Sequence, residues 1–427
     1  MGLSIIEGQK AERMAAALEL IATAQAGNIQ AITDYKVIEQ LARAGLAGKY
    51  FNYGDQIVPR WAPAEGTEYD LDLDAVHFGD VVNAQGETVP GLWLQSHWCL
   101  PGIQFDASEA IWYCSEALPA GTYHFTMGQN WGSHVVGGKA YQFTTTADLA
   151  IGSQIVIGTA TSFYTWGAPD VAPANWRVYT FANAKSITPI ETLTLAEGTD
   201  GTDLGTLSTT TKYGTTGLNN LQRAAYGYNR WGHSAIRQWQ NSDKAAGAWW
   251  EPQNVYDRPP QQLATVRGFL AGLPADFLEV VKPVQVKTAL NTVTDSVAGS
   301  PLIGAPGIEN LGTAAAPVLV ETTLDRFFLP SLEQEYIVPQ LAGAEGVYWP
   351  YWKERLGLSS PQAQGSGGAN PNHIRYAIEN HASAQYARLR SAYRGNANHA
   401  WIVTASGYAY SNYATTANRP VPACVIC

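Results

Sequence analysis

Four cysteines, eight histidines and thirty-six acidic residues are the side chains of this 427-residue chain that could carry covalent, metal or acid–base chemistry. Cys424 and Cys427 form a C-x-x-C, a spacing shared by redox pairs and half-sites for zinc. A closed metal site needs a second pair, and Cys99 and Cys114 stand too far apart to supply one. The pair therefore reads as two small apolar residues in a last strand. His77, His97 and Cys99 fit no ligand spacing and read as core or turn positions. Glu251 to Asn254, Glu-Pro-Gln-Asn, has one residue too many for the Glu-Pro-Asn of calcium-dependent lectins and reads as a turn. Asp276 and Glu279 are spaced for one helix face, where solvation suffices to explain them. G-x-S-x-G, H-E-x-x-H, P-loop and Rossmann motifs are absent. The reading is no enzyme, no cofactor and no metal.

The end of the chain carries a different chemistry. From Leu389-Arg390-Ser391 onward it is crowded with Tyr, Asn, Ser and Thr, set between Ala and Gly. No acidic residue follows Glu379, no lysine follows Lys353 and no glutamine follows Gln385. Tyr offers large contact area at little entropic cost, while Ser, Asn and Gly adapt their hydrogen bonds, as in antibody combining sites.

These residues need elements to position them. A chain of this length predicts two or three domains. With 46% apolar and 15% charged residues it is globular. A net charge of −10 argues against nucleic acid as a partner, and no apolar run approaches the roughly 20 residues that insert into a bilayer. The start, MGLSIIEGQKAERM, lacks a basic, then apolar, secretion signal, and Ile6 stands where myristoylation wants Ser or Thr. Residues 1–49 predict two short helices, one with Met14, Leu18 and Ile21 at helical spacing and Gly27 as its stop. The other is capped at Thr33 and carries Val37, Ile38 and Leu41. Both are too marginal to stand alone, which suits attachment or self-association. Residues 50–210 predict short strands, among them GTYHFTM, KAYQFTT, GSQIVIG and ETLTLAEG, and hence a jelly-roll-like β-sandwich. From 211 to 427 the pattern is mixed. A helix capped by Ser234 buries Ile236 and Trp239, and a second helical stretch is broken at Gly272-Leu273-Pro274. KPVQVKTALNTV, DRFFLPS, AWIVT and PACVI read as strands, and 355–372 as a flexible loop. The fold class is α+β and multidomain.

Several long stretches, IQFDASEAIWYCSEALPAGTYHFTM, LQRAAYGYNRWGHSAIRQWQNS, YDRPP, GFLAGLPADFLEVV, DRFFLPS, EGVYWPYW and the closing PACVI, resemble variable proteins of diversity-generating retroelements from gut phages and prophages. The likeness runs from about residue 85 to the end. It implies a C-terminal domain, 211–427, of C-type-lectin fold, related to formylglycine-generating enzymes, with a variable region at about 386–427. In such systems a reverse transcriptase rewrites adenines in the 3′ end of the gene, and the rewritten Asn codons never encode Lys, Glu, Gln, Met or Trp. Trp401 departs from that rule, and an AGG template codon accounts for it by one adenine change.

The resemblance implies a virion protein made in the bacterial cytoplasm that binds a bacterial cell-surface ligand, protein or glycan, during adsorption. Its N-terminal segment would hold other virion proteins or its own copies, as a homotrimer. The binding face is expected at Tyr393, Asn396, Asn398, His399, Trp401, Ile402, Thr404, Tyr408, Tyr410, Ser411, Asn412, Tyr413, Thr415, Thr416 and Asn418. Leu389, Val403, Gly407, Pro422, Ala423 and Cys424 are expected to be buried or turn-forming. The alternatives are a formylglycine-generating oxidase, which shares the fold, and a structural virion decoration.

Overall fold

The computed structural model describes residues 34–107, 112–113, 119–127, 137–148, 154–159, 176–181, 193–207, 223, 226–253, 257 and 259–427. The chain is α+β, mostly sheet, with short helices and several antiparallel sheets. The central sheet has five strands in the spatial order Gln56–Ile57, Leu73–Val82, Thr88–Ser96, Ala423–Ile426 and Phe327–Phe328, all antiparallel. Ala423–Ile426 is buried throughout, as an inner strand should be. Cys424 sits between Leu94 on one neighbour and Phe327 on the other. The division expected at residue 210 is thus crossed by this sheet, because strands on both sides of it share one ladder.

Helix Tyr35–Arg43 also belongs to this body. Its N-cap is Asp34, whose Oδ1 accepts from the Lys36 amide at 2.8 Å, one residue later than the Thr33 expected. Ile38 and Ala42 enter the main core, Tyr35 meets Phe277 at 5.1 Å, and Lys36 pairs with Glu279 at 2.9 Å. The expected attachment segment 1–49 is therefore docked on the body from residue 34. The first expected helix, with Met14, Leu18 and Ile21, lies outside the described residues.

A seven-stranded sheet occupies residues 112–207, in the order Thr202–Leu207, Gly121–Met127, Ala140–Thr145, Leu193–Glu197, Trp176–Phe181, Gln154–Thr159 and Trp112–Tyr113. Only the first pair is parallel. Alternation in GTYHFTM and KAYQFTT buries Tyr123, Phe125, Tyr141 and Phe143 on one side, with Tyr123 and Phe143 stacked at 5.7 Å. This sheet is an insertion with a doubled neck. The amide of Tyr228 donates to Asp106 Oδ2 at 3.2 Å, so the outgoing and returning chains lie side by side. Gly227, at φ +81°, permits the approach: a Cβ there would stand 2.8 Å from the Ala107 carbonyl oxygen.

The C-terminal half follows its sequence signals. Ser234 Oγ accepts from the Arg237 amide at 3.3 Å and caps helix Ala235–Gln240, which buries Ile236 and Trp239. Gly272-Leu273-Pro274 separates a 3₁₀ turn from helix Ala275–Val280. The stretch 355–372 differs from the flexible loop expected. Gln362 bridges to Ile337 and Gln364 to Ala409, and the amide of Gln362 donates to Tyr336 at 2.8 Å. Backbone pairing holds what composition alone would leave loose.

Candidate functional site

The segment expected to bind forms a four-stranded sheet in the order Ala409–Tyr413, His399–Val403, Ala387–Ala392 and Arg419–Pro420. Its two inner strands are covered on both faces. Leu389, Trp401 and Val403 join one core cluster with Leu332 and Ile337. On the opposite face Arg388 stands opposite Ile402, and both are buried. Exposure is left to the outer strand, Ala409–Tyr413, and to the turns around it.

That arrangement sorts the fifteen expected residues. Tyr393, Asn396, His399, Tyr408, Ser411, Asn412, Tyr413, Thr415 and Thr416 are half-buried, and Tyr410 is 57% exposed. Asn398, Trp401, Ile402, Thr404 and Asn418 are buried and are not part of an accessible face. The reason is structural in each case where a bond is seen. Trp401 Nε1 donates to Gln340 Oε1 at 3.2 Å. Thr404 Oγ1 accepts from the amides of Ser406 and Tyr408, both at 3.3 Å, and so shapes the turn that Gly407 completes at φ +76°. Asn398 offers its carbonyl to the Ala414 amide at 2.8 Å. Leu389, Val403, Pro422, Ala423 and Cys424 are buried as expected.

The accessible residues form two groups. Tyr408 and Tyr410 meet edge to face at 6.3 Å beside the Gly407 turn. His399 and Tyr413, directly opposite in the ladder, meet at 4.5 Å, with Tyr393 beyond at 6.3 Å from His399. His399 Nδ1 and Ser411 Oγ are 3.0 Å apart. Burial, and then the Arg388 guanidinium, hold the imidazole down at about 4, so it is neutral at pH 7. Tyr226, on the returning side of the neck, stacks on Tyr413 at 4.0 Å, 12° from parallel, and its carbonyl accepts from the Thr415 amide at 3.0 Å. The motif LQRAAYGYNRW contains this residue, and nothing in its spacing distinguished Tyr226.

Side chains elsewhere hold this backbone by its carbonyls. Asn229, wholly buried, donates from Nδ2 to the carbonyls of Asn396 at 2.9 Å, His399 at 2.8 Å and Tyr393 at 3.3 Å. Arg388 donates to those of Ala400 at 2.9 Å, Asn412 at 3.2 Å, Tyr413 at 2.8 Å and Thr416 at 3.1 Å. Gln362 donates to Gly407 and Gln104 to Thr415, each at 2.8 Å. Gln362 is itself fixed by His373, whose Nδ1 is 2.7 Å from its Oε1 and whose Nε2 is 2.7 Å from Glu335. Burial raises the Glu335 carboxyl, but Arg375 and His373 beside it bring it below the usual range.

The residues first considered for covalent or metal chemistry are placed otherwise. Cys99 is wholly buried, and burial pushes its thiol up to about 12. Burial also raises the thiols of Cys424 and Cys427. His97 Nδ1 is 2.8 Å from Asp74 Oδ2. Glu279 pairs with Lys36, and the Asp276 carboxylate accepts from the Phe277 amide at 2.9 Å. Among the described residues no group of three or more His, Cys, Asp or Glu is placed to hold a metal ion.

Residues 206–427 match the family model of a domain of unknown function, DUF6273. No curated protein and no solved structure matches the chain.

Proposed function

The chain belongs to the DUF6273 family, whose model takes in the whole candidate face, and on that footing we propose that it is a non-enzymatic binding protein that displays a changeable surface. One observation carries the reading. The main chain of 393–416 is held at nine carbonyls by Asn229, Arg388, Gln362 and Gln104, none of which is among the fifteen expected face positions. A carbonyl is the same group whatever side chain its residue bears. Tyr408, Tyr410 or Ser411 can therefore be exchanged without loosening these bonds.

In the fuller form of this reading the face is rewritten by a diversity-generating retroelement and recognises a bacterial surface ligand during phage adsorption. The C-terminal domain is then of C-type-lectin type and the inserted sheet a jelly-roll relative. The protein works as a virion-borne homotrimer that other virion proteins hold by its N-terminal segment. Multivalent display suits a shallow face, because linked weak sites gain roughly 10²–10⁴ in avidity.

The test is binding of purified protein to whole cells of candidate hosts, compared with a Tyr408→Ser/Tyr410→Ser variant of equal thermal stability. Loss of binding in the variant supports the reading. Undiminished binding refutes it, because contact would then lie elsewhere. A reverse transcriptase gene beside a near-copy of the 3′ end, differing at adenines, would independently support the retroelement link.

A further inference from the structure

One arginine at the rim of the face differs from the others near it. Residues 393–396 form a turn between the two inner strands of the sheet, in which the Asn396 amide donates to the Tyr393 carbonyl at 3.3 Å. Arg394 is the second residue of this turn and is not one of the fifteen expected contact positions. Two segments outside the face hold it. Its amide donates to Gln340 Oε1 at 2.7 Å, its carbonyl accepts from the amide and the hydroxyl of Thr292, both at 2.8 Å, and its Nε donates to the Leu290 carbonyl at 3.0 Å. The side chain is half-buried, yet Nη1 and Nη2 have neither a hydrogen bond nor an ion pair among the described residues, and neither is a buried atom. The guanidinium is thus fixed from behind and open to solvent in front. The other arginines after residue 380 are engaged within the fold. Arg388 and Arg390 donate to backbone carbonyls, and Arg419 pairs with Glu379 at 2.6 Å.

Bonded at Nε, Arg394 keeps its end-on pair of amino groups, whose parallel N–H bonds match the two oxygens of a carboxylate. Gln340 adds to this. Its Oε1 accepts from Arg394 and also from Trp401 Nε1 at 3.2 Å, so both neighbours are donors and the amide stands only one way round. Its Nε2 hydrogens are left as further donors without a partner among the described residues. Glu345, the acid whose charge reaches Arg394, is 4% exposed, and its carboxylate is taken by the Ala289 amide at 3.0 Å and by Ser391 Oγ. At physiological salt, charges beyond about 8 Å are largely screened. The −10 of the whole chain therefore bears little on a group seated at Arg394.

We propose that Arg394 is a fixed contact beside the changeable residues and takes the carboxylate of an Asp or Glu side chain on a protein ligand. This rests on the display reading and adds the ligand class. A sugar acid carries the same carboxylate, but its ring wants an open aromatic face beside it. At this rim Tyr413 is covered by Tyr226 at 4.0 Å, and Trp401 is buried. A peptide needs no such platform, and Tyr393, Asn396 and Ser411 are the residue types with which antibodies hold protein surfaces. The clamp on Arg394 uses its own main chain and Nε, so exchange of Tyr393 or Asn396 leaves the fork in place. Part of the ordering cost of a long side chain is thereby met before any ligand arrives.

The test uses the full chain on an array of random-sequence synthetic peptides and on a second array in which every Asp and Glu is replaced by Asn and Gln. Peptides bound by the parent should weaken by about tenfold or more on amide replacement, the scale of a lost charge-assisted hydrogen bond. Arg394→Gln should weaken the acidic peptides to the same degree and no longer distinguish acid from amide. Arg394→Lys, which keeps the charge without the fork, should restore part of the preference, as a misfolded variant could not. Equal binding of the parent to acid and amide, or an acid preference that survives in Arg394→Gln, overturns the inference. So does the absence of any bound peptide, and polygalacturonate held through Arg394 in that case would assign the carboxylate to a glycan. If cells are held through Tyr408 and Tyr410 but the parent shows no acid preference, the carboxylate contact is wrong and the display reading stands. If acidic peptides bind through Arg394 while the Tyr408→Ser/Tyr410→Ser variant holds cells undiminished, the display reading fails instead.

Discussion

Asn229→Ala should loosen the candidate face without touching its surface. The Asn229 amide carries two hydrogens, and its two shortest contacts are to the carbonyls of His399 at 2.8 Å and Asn396 at 2.9 Å. Its own oxygen accepts from Asn291 Nδ2 at 3.0 Å. Alanine therefore removes three hydrogen bonds in a site that is 0% exposed: the Asn396 carbonyl and one Asn291 amide hydrogen lose their Asn229 partner, and the His399 carbonyl keeps only the Tyr393 amide at 2.8 Å. At about 1 kcal/mol for each lost bond, the cost is about 3 kcal/mol, and more if the groups stay dry. Urea unfolding should show that loss. Hydrogen exchange should localise it to the amides of residues 393–400, whose protection should fall further than that of the central sheet. A cost below about 0.5 kcal/mol, or exchange unchanged in that segment, would show that Asn229 does not hold the face, and the argument from carbonyl anchoring would fall with it.

Tyr410→Ser should stay within about ±0.5 kcal/mol by thermal melting, whereas Tyr413→Ser should cost about 0.5–1.5 kcal/mol because it loses the Tyr226 stack. Leu389→Ala should cost about 2–5 kcal/mol in the same assay, as a cavity in a closed core. His399 takes up a proton near 4 when folded but near its ordinary 6.5 when unfolded. Its contribution is thus complete above about pH 6.5 and lost as pH falls toward 4; denaturation at pH 7, 5.5 and 4.5 should show a shallower decline for His399→Gln than for the parent. Replacing residues 108–222 by a short Gly-Ser linker should leave the body folded, with a melting temperature within about 2–4 °C, because the two sides of the neck already touch at Asp106 and Tyr228.

Local signals were legible where local physics decides. Alternation in GTYHFTM, the Ser234 cap and the break at Gly272-Leu273-Pro274 each depend on a few neighbouring residues, and each is found in the fold. Three things were not legible. The pairing of Ala423–Ile426 with Thr88–Ser96 joins residues more than three hundred positions apart, and no composition reports such a partner. Within the candidate site, Trp401 and Ile402 have the residue types of a contact surface. Whether they reach solvent depends on which strand of the sheet is outermost, a property of strand order. The anchors were hidden for a similar reason: Asn229, Gln362 and Gln104 are ordinary residues until their partners are known.

The inner position of Ala423–Ile426 bears on how errors in the face would be cleared. A ribosome makes these residues only after every residue of 386–420, and the central sheet has no continuous ladder between Thr88–Ser96 and Phe327–Phe328 until they arrive. A stop codon or frameshift anywhere in the face therefore removes a buried strand as well as a patch of surface. The shortened product would expose the facing edges of both neighbours, the kind of lesion that favours proteolysis. Substitutions leave the strand in place and are carried forward. Folding of the central sheet thus depends on the preceding segment being read through in frame, whatever residues it contains.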